Sequence, residues 1–141
     1  MVMDMHTPLV DNWNSSGVSK LGPLDSYRYS WHVRFLFAVI ANRNERFLAD
    51  ASEMAAIDQF NEKIEVAGQR ILAVGFENPS SSVVFDNRDG AGMMYRGPVV
   101  DSDEFMAGLW IIEAPSESAA HQLAADASRA CNRRIEVRAI L

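Results

Sequence analysis

An arginine followed closely by three acidic residues is the arrangement in this sequence best suited to acid/base chemistry. Arg96 stands at the end of a predicted strand, and Asp101, Asp103 and Glu104 come shortly after it. A guanidinium can hold a carboxylate or phenolate through two hydrogen bonds, and a neighbouring carboxylate with a raised pKa can move a proton. The alternative interpretation is an exposed acidic loop in which Arg96 forms an ion pair with Asp101 across a Gly-Pro turn.

His32 is a second candidate, because an imidazole changes charge near neutral pH. It stands at the start of a predicted strand, where a lone histidine is more often structural. The other histidines, His6 and His121, are far from it in sequence, and the three do not have the spacing of a metal triad. The acidic residues 101–104 also lack the spacing and turn glycine of a calcium loop. We therefore predict no metal site and no cofactor.

Three side chains near these groups complete the predicted site. Arg34 follows His32, Tyr95 follows two methionines that would line an apolar pocket or fill a core, and Trp110 lies in a later predicted strand. The candidates for substrate binding are Arg96, Arg34, Tyr95 and Trp110, and the candidates for proton transfer are Asp101, Glu104 and His32.

The spacing of apolar residues predicts the elements that must position these side chains. In residues 31–41, apolar and polar side chains first alternate, and the later positions are apolar on both faces of the strand. This pattern indicates a central strand. Asp50 and Glu53 have capping-box spacing, and a helix with an apolar stripe from Ile57 to Ala67 follows and ends at Gly68. Strands are predicted over 70–76, 81–86, from Met93, over 107–113 and over 134–141. Ser116 is predicted to cap a second helix, whose buried stripe is Ala120, Leu123, Ala124, Ala127 and Cys131.

The predicted order is β-α-β, a β-hairpin with its turn at residues 87–90, and then β-α-β. This order is typical of an α+β, ferredoxin-like split βαβ fold, in which two helices cover one face of an antiparallel sheet. The other face would carry Arg34 and Leu36 on the first strand, with Trp110 or Ile111 on a later one. A half-apolar face is unfavourable in water, so we expect a second copy of the sheet to cover it in a homodimer.

Several segments, in order, resemble the YCII-related family, and in particular its branch named for a DGPF motif. They are residues 56–63 (AIDQFNEK), Ala67-Gly68, residues 74–79 (VGFENP), Gly97-Pro98, Glu104, Gly108, residues 109–112 (LWII) and residues 135–138 (IEVR). The resemblance covers about residues 32–141. It implies a ferredoxin-like fold in a dimeric α+β barrel, with a pocket between the sheet and the loops. Some members carry a His-Asp pair interpreted as an acid/base site, with lyase-type chemistry on chlorinated phenolic rings proposed.

The sequence departs from the pattern of that branch at its functional positions. Arg96 stands where the motif has its aspartate, and Val99 replaces its phenylalanine. Asp101 matches a glutamate, and Asp103 matches a position where lysine is common. Residues 51–68 contain no counterpart of the family histidine, and Asp58 is near its place.

Composition sets the class of protein and excludes some partners. The 141 residues are 48% apolar and 23% charged, which is the balance of one globular domain. The net charge of −6 disfavours nucleic acid and anionic membranes as partners, and the basic cluster Arg133, Arg134 and Arg138 is interpreted as a solvated face. Cys131 is the one cysteine, and we expect a packed thiol. Residues 1–30 are expected to form an irregular extension before a domain at 31–141, and without a secretory signal we expect a cytoplasmic location.

Two functions of different classes are compatible with these features. The first is a cofactor-free lyase or isomerase that acts on a small aromatic or acidic compound by acid/base catalysis. The second is a non-catalytic dimer domain that binds a small molecule or serves a partner protein. A protonatable group retained inside an apolar pocket would favour the first, as would the convergence of His32, Arg96, Asp101 and Glu104 on one enclosed pocket. A pocket that holds only Arg96 and apolar side chains, or the lack of any pocket, would favour the second.

Overall fold

A computed structural model describes residues 33–141. The predicted extension over residues 1–30 and the candidate His32 lie outside the described residues. The elements in chain order are β1 (Val33–Asn42), α1 (Ala51–Val66), β2 (Arg70–Gly75), β3 (Val83–Asp86), β4 (Met93–Arg96), β5 (Glu104–Ala114), α2 (Glu117–Cys131) and β6 (Arg134–Ala139).

Four of the strands form one antiparallel sheet in the order β2-β5-β1-β6. Strand β5 lies between β1 and β2, and β1 lies between β5 and β6, so each helix joins two strands that are separated by a third. This is the ferredoxin-like split βαβ arrangement, and the predicted α+β fold class is confirmed. Strands β3 and β4 pair only with each other and form a hairpin inserted between β2 and β5.

The core lies between the sheet and the two helices. Register places Phe35 opposite Ile112 and Phe37 opposite Trp110, so that these four side chains share the face covered by the helices. Helix α1 contributes Phe60 and Ile64 to the same cluster. Helix α2 buries the whole predicted stripe, because small side chains at helical spacing let the helix approach the sheet closely. Its members are Ala120, Leu123, Ala124, Ala127 and Cys131.

Side chains that cap the helices fix where each one begins. Asp50 and Glu53 form the predicted capping box at the start of α1, and the Ser116 hydroxyl accepts a hydrogen bond from the backbone N–H of Ala119 at the start of α2. Gly68 has φ +69°, as expected of a glycine that follows a helix. Ala67 is the C-cap of α1, in helical conformation directly before Gly68, and it is exposed. Neither helix within residues 33–141 is long and apolar enough to cross a membrane.

Strand β5 is longer than predicted, and this changes the position of Glu104. Residues 104–106 pair with residues 40–42 of β1, after a register shift between Val39 and Ile40. Glu104 is therefore the first residue of β5 and not part of the preceding acidic loop. Of the two alternatives for the open face of the sheet, Ile111 lies there opposite Leu36, whereas Trp110 points into the core.

Candidate functional site

An apolar cavity of about 370 Å³ lies between α1, the sheet and the segment that joins β1 to α1. Its inner wall is formed by Val39 of β1, Ala73 of β2 and Trp110 of β5. Helix α1 contributes Met54 and Ile57, and the joining segment contributes Phe47 and Leu48. Three separate strands, both helices and the segments between elements therefore contribute to the cavity, which is the construction expected of a ligand pocket.

Trp110 forms the rigid floor of the cavity. Its side chain is only 3% exposed, and its indole N–H donates a 2.8 Å hydrogen bond to the Asn61 side chain of α1. The ring of Phe60 packs edge-on against it, with centroids 5.3 Å apart at 75°. A buried tryptophan needs such a polar partner, so Asn61 determines how the indole is oriented.

Gly108 lets two strands come together beside this floor. A Cβ atom at this position would be 2.6 Å from the carbonyl oxygen of Val74 on β2, a distance that real Cβ atoms do not reach. Gly108 is also a wall residue of the cavity. The absence of a side chain here therefore permits both the β2–β5 pairing and part of the cavity volume.

Large apolar side chains surround the opening. Leu48 is 72% exposed, Met54 44% and Phe76 45%, and all three line the cavity. Nearby, the ring of Phe47 packs on Phe105 with centroids 5.9 Å apart. Exposed apolar groups scattered singly are ordinary on a protein surface, but a group of them around one apolar cavity marks a binding site.

Few groups in the wall can carry charge. One is Asp58 of α1, and the other is Arg133, which is one of the two residues between α2 and β6. Cys131 is also a wall residue and is buried, and burial raises the pKa of its thiol. A thiol in this state is a poor nucleophile, so the expectation of a packed cysteine is confirmed.

The predicted partners Arg96 and Asp101 are not paired. The Asp101 carboxylate accepts a 2.5 Å hydrogen bond from the Arg43 guanidinium, which also lies 3.2 Å from Asp103. The Arg43 N–H donates to the backbone carbonyl of Asp103 at 2.7 Å, so the end of β1 holds the acidic loop beside Arg43. Arg96 is exposed at the end of β4 and forms no ion pair with any residue in 33–141. The expected Arg96–Asp101 ion pair is therefore wrong.

The remaining candidates also lie apart. Glu104 pairs with Arg134 in a polar depression lined by Asn42, Glu45, Arg46, Glu53, Glu104, Ser128, Asn132, Arg133 and Arg134. Arg34 lies 3.2 Å from Glu113 on the open face of the sheet, and Tyr95 is exposed on the β3–β4 hairpin. Of the predicted residues that the structure describes, Trp110 alone belongs to the wall of the apolar cavity.

Sequence reasoning missed most of the residues that form this wall. One signal was present: Phe47 and Leu48 are two large apolar residues in an otherwise polar stretch, residues 42–46 being Asn-Arg-Asn-Glu-Arg. Arg133 was interpreted as part of a solvated basic cluster with Arg134 and Arg138. The structure divides that cluster, because Arg134 and Arg138 are exposed and paired with glutamates, whereas Arg133 is half-buried in the cavity wall.

Comparison with known proteins agrees with the fold. The family model of the YCII-related domain matches residues 35–141, which begins in β1 and includes every later element. Curated proteins contain no match to this chain. Within residues 33–141, no group of three or more His, Cys, Asp or Glu side chains is arranged to hold a metal ion.

Proposed function

This chain belongs to the YCII-related domain family, and we propose that it binds a small, mainly apolar molecule in the cavity between α1 and the sheet. One observation above all supports this function. Leu48, Met54 and Phe76 are large apolar side chains that remain exposed around the opening of an apolar cavity. A ligand that covered them would remove this apolar surface from water, at roughly 25 cal/mol per Å².

The size and rigidity of the cavity support the same proposal. A volume of about 370 Å³ is within the range of small-molecule sites, although at its lower end. Trp110 is held by Asn61 and Phe60, so the floor is already in place before a ligand arrives. A preformed wall lowers the entropy lost on binding. A compact aromatic ring would suit this volume and its apolar lining.

Acid/base catalysis on a small aromatic or acidic compound is the alternative function. Asp58 is the observation that favours it, because this residue belongs to the cavity wall and carries a carboxylate, a group that can accept a proton. Roles for Asp101 and Glu104 receive less support, since each is paired with an arginine and neither belongs to this wall. We therefore place binding first and proton transfer second.

A neutral fluorescent probe tests the binding proposal without assuming a natural ligand. We expect N-phenyl-1-naphthylamine to bind the full chain saturably at one site and to fluoresce more strongly when bound. Leu48→Asp should weaken this binding by about tenfold or more, because it places a charge at the apolar opening. Val99→Asp is the matched control: Val99 is 73% exposed, as Leu48 is 72% exposed, but it lies outside the cavity wall.

The two variants together separate a specific site from general surface hydrophobicity. Both side chains lie outside helices and strands and are mostly exposed, so the fold should tolerate either change. Equal affinity in both variants and in the unaltered chain would reject this cavity as the site. The absence of saturable binding would reject the proposed function.

We also propose that the chain forms a homodimer through the open face of its sheet. That face carries partly exposed apolar side chains on three adjacent strands, which are Leu36, Leu72, Val74, Leu109 and Ile111. Ion pairs between Arg34 and Glu113 and between Arg138 and Glu136 lie at its edges. An apolar centre with a charged rim is the usual composition of a protein interface. Light scattering on the eluting protein should give twice the chain mass, and Ile111→Lys should give the mass of one chain while preserving the circular dichroism spectrum.

A further inference from the structure

We propose that the ligand of the apolar cavity is a monoanion, an apolar molecule with one carboxylate, and that Arg133 binds its negative charge. This inference depends on the proposed binding function and specifies its ligand class.

Arg133 is fixed in position by the turn between α2 and β6. Asn132 has a left-handed backbone, with φ 50°, and ends the helix. The Arg133 backbone carbonyl accepts a 2.5 Å hydrogen bond from the Ser128 hydroxyl. Its guanidinium donates to the backbone carbonyls of Asn132 at 3.0 Å and Arg46 at 2.6 Å. Arg46 belongs to the segment that also supplies Leu48, and Arg133 lines both the apolar cavity and the polar depression that contains Arg46 and Asn132.

The guanidinium keeps donors available for a ligand. An arginine has five N–H donors in a planar fork, and two of those of Arg133 are used by backbone carbonyls. Neutral carbonyl acceptors leave the positive charge uncompensated. The donors that remain can bind a carboxylate oxygen in a charge-assisted hydrogen bond.

Arg133 differs in its charge balance from the other half-buried arginines of residues 33–141. Arg34 lies 3.2 Å from Glu113 and Arg70 lies 3.2 Å from Glu65. Arg133 forms no ion pair with any carboxylate in that part of the chain. A partly desolvated cation without a counterion is costly, and a bound anion would offset this cost.

The nearby carboxylates do not serve as the counterion of Arg133 in place of a ligand. Glu53 lies in the polar depression on the other side of Arg133, and its oxygens already accept hydrogen bonds from Arg46, the Asn132 side chain and the Asp50 backbone N–H. Asp58 is in the wall of the apolar cavity but is exposed to water. Its negative charge disfavours a second anionic group on the ligand, so a monocarboxylate fits this site better than a dicarboxylate.

Competition between two nearly isosteric molecules tests this inference. 2-Naphthoate and 2-naphthalenemethanol share one ring system and differ in charge, and each is titrated against bound N-phenyl-1-naphthylamine. We expect the full chain to prefer the carboxylate by about tenfold to a hundredfold, the range for a hydrogen bond to a charged group. Arg133→Met should abolish this preference, and Arg133→Lys should retain part of it, because the lysine keeps the charge without the planar fork.

Arg134→Met is the matched control. Arg134 is the next residue, but it is exposed, paired with Glu104 and absent from the apolar wall, so its loss should leave the preference unchanged. Equal affinity for the two competitors in the unaltered chain, or a preference that survives Arg133→Met, would overturn the inference while the binding proposal stands. Failure of the neutral probe to bind the unaltered chain would instead reject the proposed function.

Discussion

The indole N–H of Trp110 donates a 2.8 Å hydrogen bond to the side-chain oxygen of Asn61, and this bond joins α1 to β5 at a residue that lines the cavity. It provides the polar partner that a nearly fully buried indole requires. It also connects two elements that are distant in sequence, so the floor of the cavity depends on the correct packing of the helix on the sheet.

We predict that Asn61→Leu destabilises the protein by about 1–3 kcal/mol, because it leaves the buried indole N–H without a hydrogen-bond acceptor. Urea unfolding followed by circular dichroism measures the change. In a Trp110→Phe background the donor is absent, so the same substitution should cost clearly less. A cost that is the same in both backgrounds would show that the hydrogen bond contributes nothing to stability.

Substitution of Gly108 by alanine should also destabilise the fold. The new Cβ atom would lie 2.6 Å from the Val74 carbonyl oxygen, and both partners belong to paired strands that cannot move apart freely. Overpacking of this kind costs about 1–3 kcal/mol. A lower urea midpoint for Gly108→Ala is the expected result, and an unchanged midpoint would mean that β2 shifts without penalty.

The Asp50 cap should make stability sensitive to acid. Hydrogen bonds from the Glu53 backbone N–H and the Ser52 hydroxyl, with Arg46 nearby, lower the pKa of Asp50 from 3.8 to about 2. The native state therefore binds this proton less tightly than the unfolded state. The resulting stabilisation is complete above the ordinary value of 3.8 and is lost as the pH falls through about 2.

Asp50→Asn isolates this contribution, because the amide oxygen can still cap the helix but does not titrate in this range. The urea midpoint of the unaltered chain should exceed that of the variant at pH 6. The difference should shrink between pH 4 and pH 2. A difference that stays constant over this interval would exclude Asp50 as the source of the acid sensitivity.

The Cys131 thiol should react slowly in the native protein. Cys131 is buried at the end of α2, and this burial raises the pKa of its thiol above the usual 9.0, so less thiolate is present. Reagents also reach the thiol only when the structure opens. Its reaction with Ellman's reagent at pH 8 should be more than roughly tenfold slower than that of a matched exposed thiol, Ala125→Cys in a Cys131→Ala background. Equal rates would contradict the burial of Cys131.

The same raised pKa predicts a loss of stability in base. The native state holds the thiol proton more tightly than the unfolded state, so this contribution is complete below pH 9.0 and declines as the pH rises through the higher native pKa. Cys131→Ala should lack this part of the decline when urea midpoints are compared between pH 8 and pH 10.

The sequence by itself determined the elements and the architecture of this protein. The α2 stripe from Ala120 to Cys131, the Asp50–Glu53 capping box and the order of strands and helices were all predicted and are all present. These features depend on residues three to four apart, or on the alternation of neighbours along a strand, so their physical cause is local. Even the buried cysteine follows from its place on an apolar helical face.

Only the tertiary structure decided which charged groups meet and where a cavity opens. Arg43 rather than Arg96 binds Asp101, because the end of β1 lies beside the acidic loop, and Arg96 is carried away on the hairpin. Arg133 reaches the carbonyl of Arg46, 87 residues earlier in the chain, and enters the wall of the apolar cavity. Such contacts depend on strand register and on the distance between segments that are far apart in sequence. Neither can be read from residue types and their spacing along the chain.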